Sequence, residues 1–166
     1  MSEEERALAL REAARRQEAN EYRNVQGRNG GASTGDLALF YHKIGAAGEV
    51  AVASYLGLKD HLFQDLLPTR GSYDLPYGID VKTRTKHHYD LIVQLDDKPD
   101  KNYWLVTIEN REIQIHGWIS HPDCALKEYI KDPAGGRKAF FVPKARLNPP
   151  ETFSQQFMKR VDRPSR

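Results

Sequence analysis

The clearest apolar rhythm in the chain runs from His42 to Leu56, HKIGAAGEVAVASYL, where small and apolar residues return every three or four positions, the spacing of one helical face. Gly57 follows and suits the left-handed residue that ends a helix, so a helix over 42–56 is expected. Glu49 shares the phase of Val52, Ala53 and Leu56, and so lies on or beside the buried stripe. Further on, the pattern changes to short runs rich in β-branched and aromatic residues. These are HLFQDLL at 61–67, YDL and IDVKTR on either side of a PYG turn, DLIVQL at 90–95, NYWLVTIE at 102–109 and EIQIHGWIS at 112–120. The last three read as consecutive antiparallel strands. Pro122 fits the first turn of a helix that DCALKEYIKD carries to Pro133. AFFVP at 139–143 reads as an extended segment and TFSQQFMKR at 152–160 as a closing helix. This order predicts a mixed α/β domain around one sheet.

Alternation within IDVKTR sends Asp80, Lys82 and Arg84 to one face and Ile79, Val81 and Thr83 to the other. Pro76 and Tyr77 suit the central positions of a type I turn, and Gly78 suits the left-handed residue of a three-residue hairpin loop. Such a loop pairs Leu75 with Ile79 and sets Asp74 opposite Asp80. Two carboxylates about 5 Å apart repel by roughly 3 kcal/mol at an effective dielectric near 20. The repulsion is offset if both face water, if one keeps its proton, or if a cation lies between them. A hard divalent ion is the natural partner for two converging carboxylates. A helix packed on the sheet would aim Glu49 at the same spot, and an acid is rarely buried without a partner.

Residues 3–25 are rich in helix formers, with six acids and five bases and few large apolar side chains, and read as a helical arm. GRNGGASTGD at 27–36 reads as a joint, which places the arm and joint in 1–36 and one domain in 37–166. The arm is a candidate for homodimer contact. The single cysteine, Cys124, excludes an internal disulfide framework, and no histidine pair has the spacing of a helical zinc site. Nothing resembles a signal peptide or a bilayer-spanning run, so a soluble protein of the cytoplasm is expected. The net charge of +2 makes no case for nucleic acid; its distribution says more, though a charge run is more often a solvated surface. Residues 137–166 carry eight Lys and Arg against Glu151 and Asp162, and Lys82, Arg84 and Lys86 form a second basic stripe. Such clusters can track phosphates. Tyr103, Trp104 and Trp118 alternate within strands and are expected in the core.

A Glu on the first helix of the domain, an Asp at one strand and Asp-Val-Lys on the next resembles the pattern of the PD-(D/E)XK nuclease superfamily. That group includes restriction endonucleases, Holliday-junction resolvases and many phage and recombination nucleases. The resemblance covers about residues 42–120 and rests on Glu49, Asp74, Asp80 and Lys82. Tyr73 stands where the name of the superfamily has proline, and the step from Asp74 to Asp80 is short. The HGWIS and AFFVP segments also resemble those of phage and bacterial members. A second acid-x-Lys triplet, Asp96-Asp97-Lys98, precedes Pro99 and is expected at a loop surface.

The resemblance implies a restriction-endonuclease-like core, a mixed central sheet flanked by helices and preceded by the arm. It implies Mg²⁺-dependent hydrolysis of DNA phosphodiester bonds, as an endonuclease leaving a 5′-phosphate, with Mn²⁺ able to substitute. By it, Asp74, Asp80 and the Val81 carbonyl would ligate the ion, and Glu49 would bind it directly or through water. Lys82 would steady the attacking water and the transition state. Arg84, Lys86, Tyr73, Lys144 and Arg146 are the candidates for nucleic-acid contact. The rival reading is a non-catalytic nucleic-acid-binding subunit on the same fold; a third is an assembly protein docking through the arm.

Overall fold

The computed structural model describes residues 1–22, 35–63, 73–133 and 135–158. Two helices come first, α1 (Glu3–Tyr22) and α2 (Asp36–Leu56). Gly57 ends α2 as expected: its φ of 71° is left-handed, and the amides of Gly57 and Leu58 turn back onto the carbonyls of Ser54 and Ala53. The helix starts at Asp36 rather than His42. Leu37, Phe40 and Tyr41 are exposed in its first turns, so that part displays no buried stripe to read from the sequence.

Six strands follow: β1 (Ile79–Arg84), β2 (Leu91–Gln94), β3 (Asn102–Glu109), β4 (Glu112–Ser120), β5 (Ile130–Lys131) and β6 (Ala139–Val142). They form two three-stranded sheets, ordered β1-β3-β4 and β2-β6-β5. The mixed α/β class is as expected; the single sheet is not. β3 and β4 make the anticipated antiparallel hairpin, but β1 runs parallel to β3, and β2 leaves its sequence neighbour for β6. Leu91 and Val93 of β2 bury against Tyr103 and Leu105 face to face instead of pairing edge to edge. Alternation declares which side of a strand is buried, not which strand lies beside it.

Four local expectations change. His61 lies in a 3₁₀ turn (Lys59–His61) and Leu62 and Phe63 are not strand, while 64–67 fall outside the described residues. The helix expected after Pro122 stops after one turn, α3 (His121–Cys124), because Ile130 and Lys131 are drawn into pairing with β6. The closing helix is one α-turn, α4 (Pro150–Phe153), that widens into a π-turn over Ser154–Met158. The hairpin loop is not type I, since Tyr77 has φ 63° and Gly78 φ 70°, where type I needs a negative φ at its second central residue.

The first sheet is the middle layer. Ile79, Val81, Trp104 and Trp118 on one face meet Val52, Ala53 and Leu56 of α2 and Phe153 of α4. Phe153 stands edge-on between the two indoles, 5.2 Å from Trp104 and 5.1 Å from Trp118 between ring centres. The other face carries Tyr103, Leu105 and Ile119 against the second sheet. The expectation that Tyr103, Trp104 and Trp118 are core residues holds. α1 packs along α2 through a thin apolar seam built on Ala9, Ala46 and Val50. No helix among the described residues is long and apolar enough to cross a membrane.

Candidate active site

Leu75 bridges Ile79 as the hairpin reading requires, and the amides of Asp74 and Leu75 both donate to the Ile79 carbonyl. No ladder continues past that bridge, so Asp74 lies on a bend beside β1 rather than on a paired strand. Its carboxylate accepts the Val81 amide at 2.7 Å, which fixes it against the strand that carries Asp80 and Lys82. α2 supplies Glu49, buried at 4 % exposure, and the charges of Glu49, Asp74 and Asp80 act on one another. The acids singled out in the sequence are therefore brought to one region of the fold.

Lys82 was expected to offset part of their charge; the other cations were not foreseen. Arg16 of α1 reaches Glu49 with both terminal nitrogens, at 2.8 and 2.7 Å, a bidentate pair. The Nε of Arg16 donates in turn to Glu12 at 2.8 Å. Asp80 holds Lys82 on Oδ1 at 2.7 Å and Lys101 on Oδ2. Lys82 also lies 3.4 Å from Asp97 and 5.5 Å above the Tyr103 ring. Asp97 belongs to the triplet expected at a loop surface; it is in a turn, but its side chain is only 5 % exposed and faces the site.

Arg16, Lys101 and Asp97 thus join the site without a signal in the sequence. Arg16 lies 33 positions before its partner. Lys101 is an ordinary lysine just ahead of β3 until folding buries it to 4 % exposure. The one legible hint is that Glu12 and Arg16 stand one helical turn apart on α1.

These pairings divide the acids. Burial works against the charge on Asp80, yet Lys82 and Lys101 outweigh it and hold that carboxyl below its usual range. Burial likewise opposes the Lys82 ammonium, but Asp80 holds its pKa above the ordinary value, so the amine is a cation rather than a base. Glu49 is pushed up by burial, which Arg16 only partly relieves. Among the described residues no cation is bonded to Asp74, and Lys82 acts on it only through space. Burial, then Glu49 and Asp80, raise its pKa to about 8.

This carries a stability prediction. Between its unfolded value of 3.8 and the folded value of about 8, the native Asp74 keeps a proton that the unfolded chain releases. Stability should therefore fall as pH rises through that window, by something on the order of a few kcal/mol. Asp74→Asn retains an oxygen for the Val81 amide and removes the titration. In urea unfolding with chelator present, the variant should lose most of the decline between pH 5 and 8; an equal decline in both proteins would count against the crowding described here.

Among the described residues, no three His, Cys, Asp or Glu side chains are arranged to hold a metal ion. The three acids do not share one point as anticipated, because Arg16 occupies both oxygens of Glu49. Mg²⁺ takes hard oxygens, keeps several waters and is commonly held by one or two carboxylates together with substrate phosphates, but both oxygens of Asp80 already hold lysines, Lys82 on one and Lys101 on the other.

The candidate nucleic-acid residues are spread more widely. Lys86 pairs with Glu109 at 2.9 Å, and Lys144 donates to the His87 carbonyl, so these two lie around one loop. Arg84 stacks 4.8 Å above the Tyr89 ring. Tyr73 is exposed beside the acidic turn and donates to Asp100. Arg146 is exposed in a 3₁₀ turn (Lys144–Arg146). The C-terminal residues 159–166, four of the basic positions among them, fall outside the described residues.

Comparison with protein-family models, with curated proteins and with solved structures returns no match to this chain.

Proposed function

We propose that the protein is a divalent-metal-dependent nuclease acting on DNA, built on a restriction-endonuclease-like core. The observation that carries the reading is the Asp74 carboxylate, tied to the Val81 amide and crowded by Asp80 and Glu49, next to a protonated Lys82. Asp74, Asp80 and the Val81 carbonyl would hold the ion, with Glu49 beside them. When bound, the ion lowers the pKa of a coordinated water and withdraws charge from the phosphate.

The chain's own residues do the rest. Lys82 offers a fixed ammonium to the phosphate oxygens and the developing negative charge. Asp80 holds that ammonium at 2.7 Å, and Asp97 and the Tyr103 ring keep it from swinging away. Arg84, Lys86, Lys144 and Arg146 would follow the backbone phosphates on either side, and Tyr73 offers an exposed ring at the acidic turn.

A second reading, a nucleic-acid-binding protein without catalysis, is favoured by the chain cations that already neutralise Glu49 and Asp80. The deciding experiment is plasmid nicking and linearisation by the purified protein with Mg²⁺, with Mn²⁺ and with chelator. Cleavage in the first two alone is expected. Salt-dependent DNA binding without cleavage under any metal would select the second reading.

A further inference from the structure

We infer that the loop between β1 and β2 is a platform for an unpaired DNA strand, whose bases stack on the His88–Tyr89 pair; this rests on the DNA-binding part of the proposed function and needs no metal ion. Both rings are exposed. They stand at 73° with centres 4.7 Å apart, an edge-on contact, so the ring that offers its edge keeps both flat faces clear of the other. The Arg84 guanidinium lies over one face of Tyr89 only, at 4.8 Å. Whichever ring is edge-on, these contacts leave a flat face of the pair open to a base.

The loop is tied down on both sides of the displayed rings. His87, just before them, meets the buried Thr107 hydroxyl through Nδ1 at 2.6 Å and donates its amide to Glu109 at 2.9 Å. Its carbonyl accepts from the Lys144 ammonium. Asp90, just after them, accepts the Lys144 amide at 3.1 Å, and the Tyr89 amide closes a turn onto the Lys86 carbonyl at 3.1 Å. With its neighbours fixed in this way, the pair needs little further ordering when a ligand arrives. Arg84, Lys86 and Lys144 all touch this loop, and Arg146 shares the turn of Lys144. Flat rings among cations suit a strand whose bases are free to stack outward, whereas a duplex keeps its bases inside and would meet the cations alone.

The test follows the fluorescence anisotropy of labelled DNA with the full chain in chelator, so that neither cleavage nor a metal enters. The probes are an oligothymidylate of roughly 12 nucleotides, an abasic strand of the same length and a duplex of the same length. Wild type should bind the oligothymidylate about tenfold more tightly than either of the others. The double variant His88→Ala, Tyr89→Ala should bind it no better than the abasic strand, with an unchanged salt slope because no lysine or arginine is lost. Tyr89→Phe keeps the ring and should bind like wild type. Equal wild-type affinity for the strands with and without bases, or for strand and duplex, overturns the platform and leaves the DNA reading standing; these comparisons decide even if the double variant does not fold. Undiminished binding by a folded double variant overturns it too. If no probe binds at all, the DNA reading falls and the platform falls with it.

Discussion

Lys82→Met is expected to lower Mg²⁺-dependent DNA cleavage by about 10²–10³-fold, the usual loss when one preorganised donor to a developing negative charge is removed. The substitution is chosen for what it leaves intact. Met keeps most of the length of the side chain and Asp80 retains Lys101 on its other oxygen, while the buried Asp97 loses the ammonium 3.4 Å away. A modest fall in melting temperature is therefore expected, far smaller than the loss of turnover. Asp80→Asn should be as inactive but less stable. It removes the countercharge of two lysines, one 4 % exposed and one 23 % exposed, and an unpaired buried charge costs about 3–5 kcal/mol. Nicking assays at saturating Mg²⁺, run beside thermal melts, separate the two effects. Wild-type cleavage rates in well-folded Lys82→Met protein would remove the catalytic assignment.

The second large effect is on stability, and its sign is opposite to that of helix propensity. Gly48→Ala should destabilise the protein by roughly 1–3 kcal/mol, even though Gly to Ala inside a helix ordinarily gains up to about 1 kcal/mol. A Cβ on Gly48 would stand 2.0 Å from Thr83 Oγ1 and 3.1 Å from Thr83 Cβ. Thr83 is β-branched and on a strand, so it has little freedom to rotate away. Gly45, one turn earlier, has nothing within 4 Å of the same added atom, and Gly45→Ala should stabilise. Thr83→Ala in the Gly48→Ala background should restore most of the loss, since only the Cβ contact is left. Because Glu49 is the next residue, the displaced helix should also weaken cleavage. Urea unfolding of the four proteins measures this directly, and equal effects at positions 45 and 48 would refute the close approach of α2 to β1.

Gly48 also shows what a sequence conceals. It reads as one more small residue in an apolar stripe, yet it sets the depth at which α2 lies on β1 and therefore where Glu49 ends up. The stripe, the Gly57 stop, the β3–β4 hairpin, the Leu75–Ile79 bridge and the shared face of Asp80 and Lys82 were legible, since each is set by neighbours a few residues apart. The parallel pairing of β1 with β3 and the departure of β2 to a second sheet were not. Those choices depend on which apolar faces can be buried against each other, a property of the whole assembly.

The same division runs through the site. The sequence alone singled out Glu49, Asp74, Asp80 and Lys82 as the candidate site and required that a buried Glu49 have a partner. Only the tertiary structure decided that the partner is Arg16, that Asp80 is shared by two lysines, and that burial beside Glu49 and Asp80 raises the pKa of Asp74. Local periodicity encodes burial and phase along one element, whereas charge compensation depends on distances between elements far apart in the chain. Such distances exist only once the chain has packed.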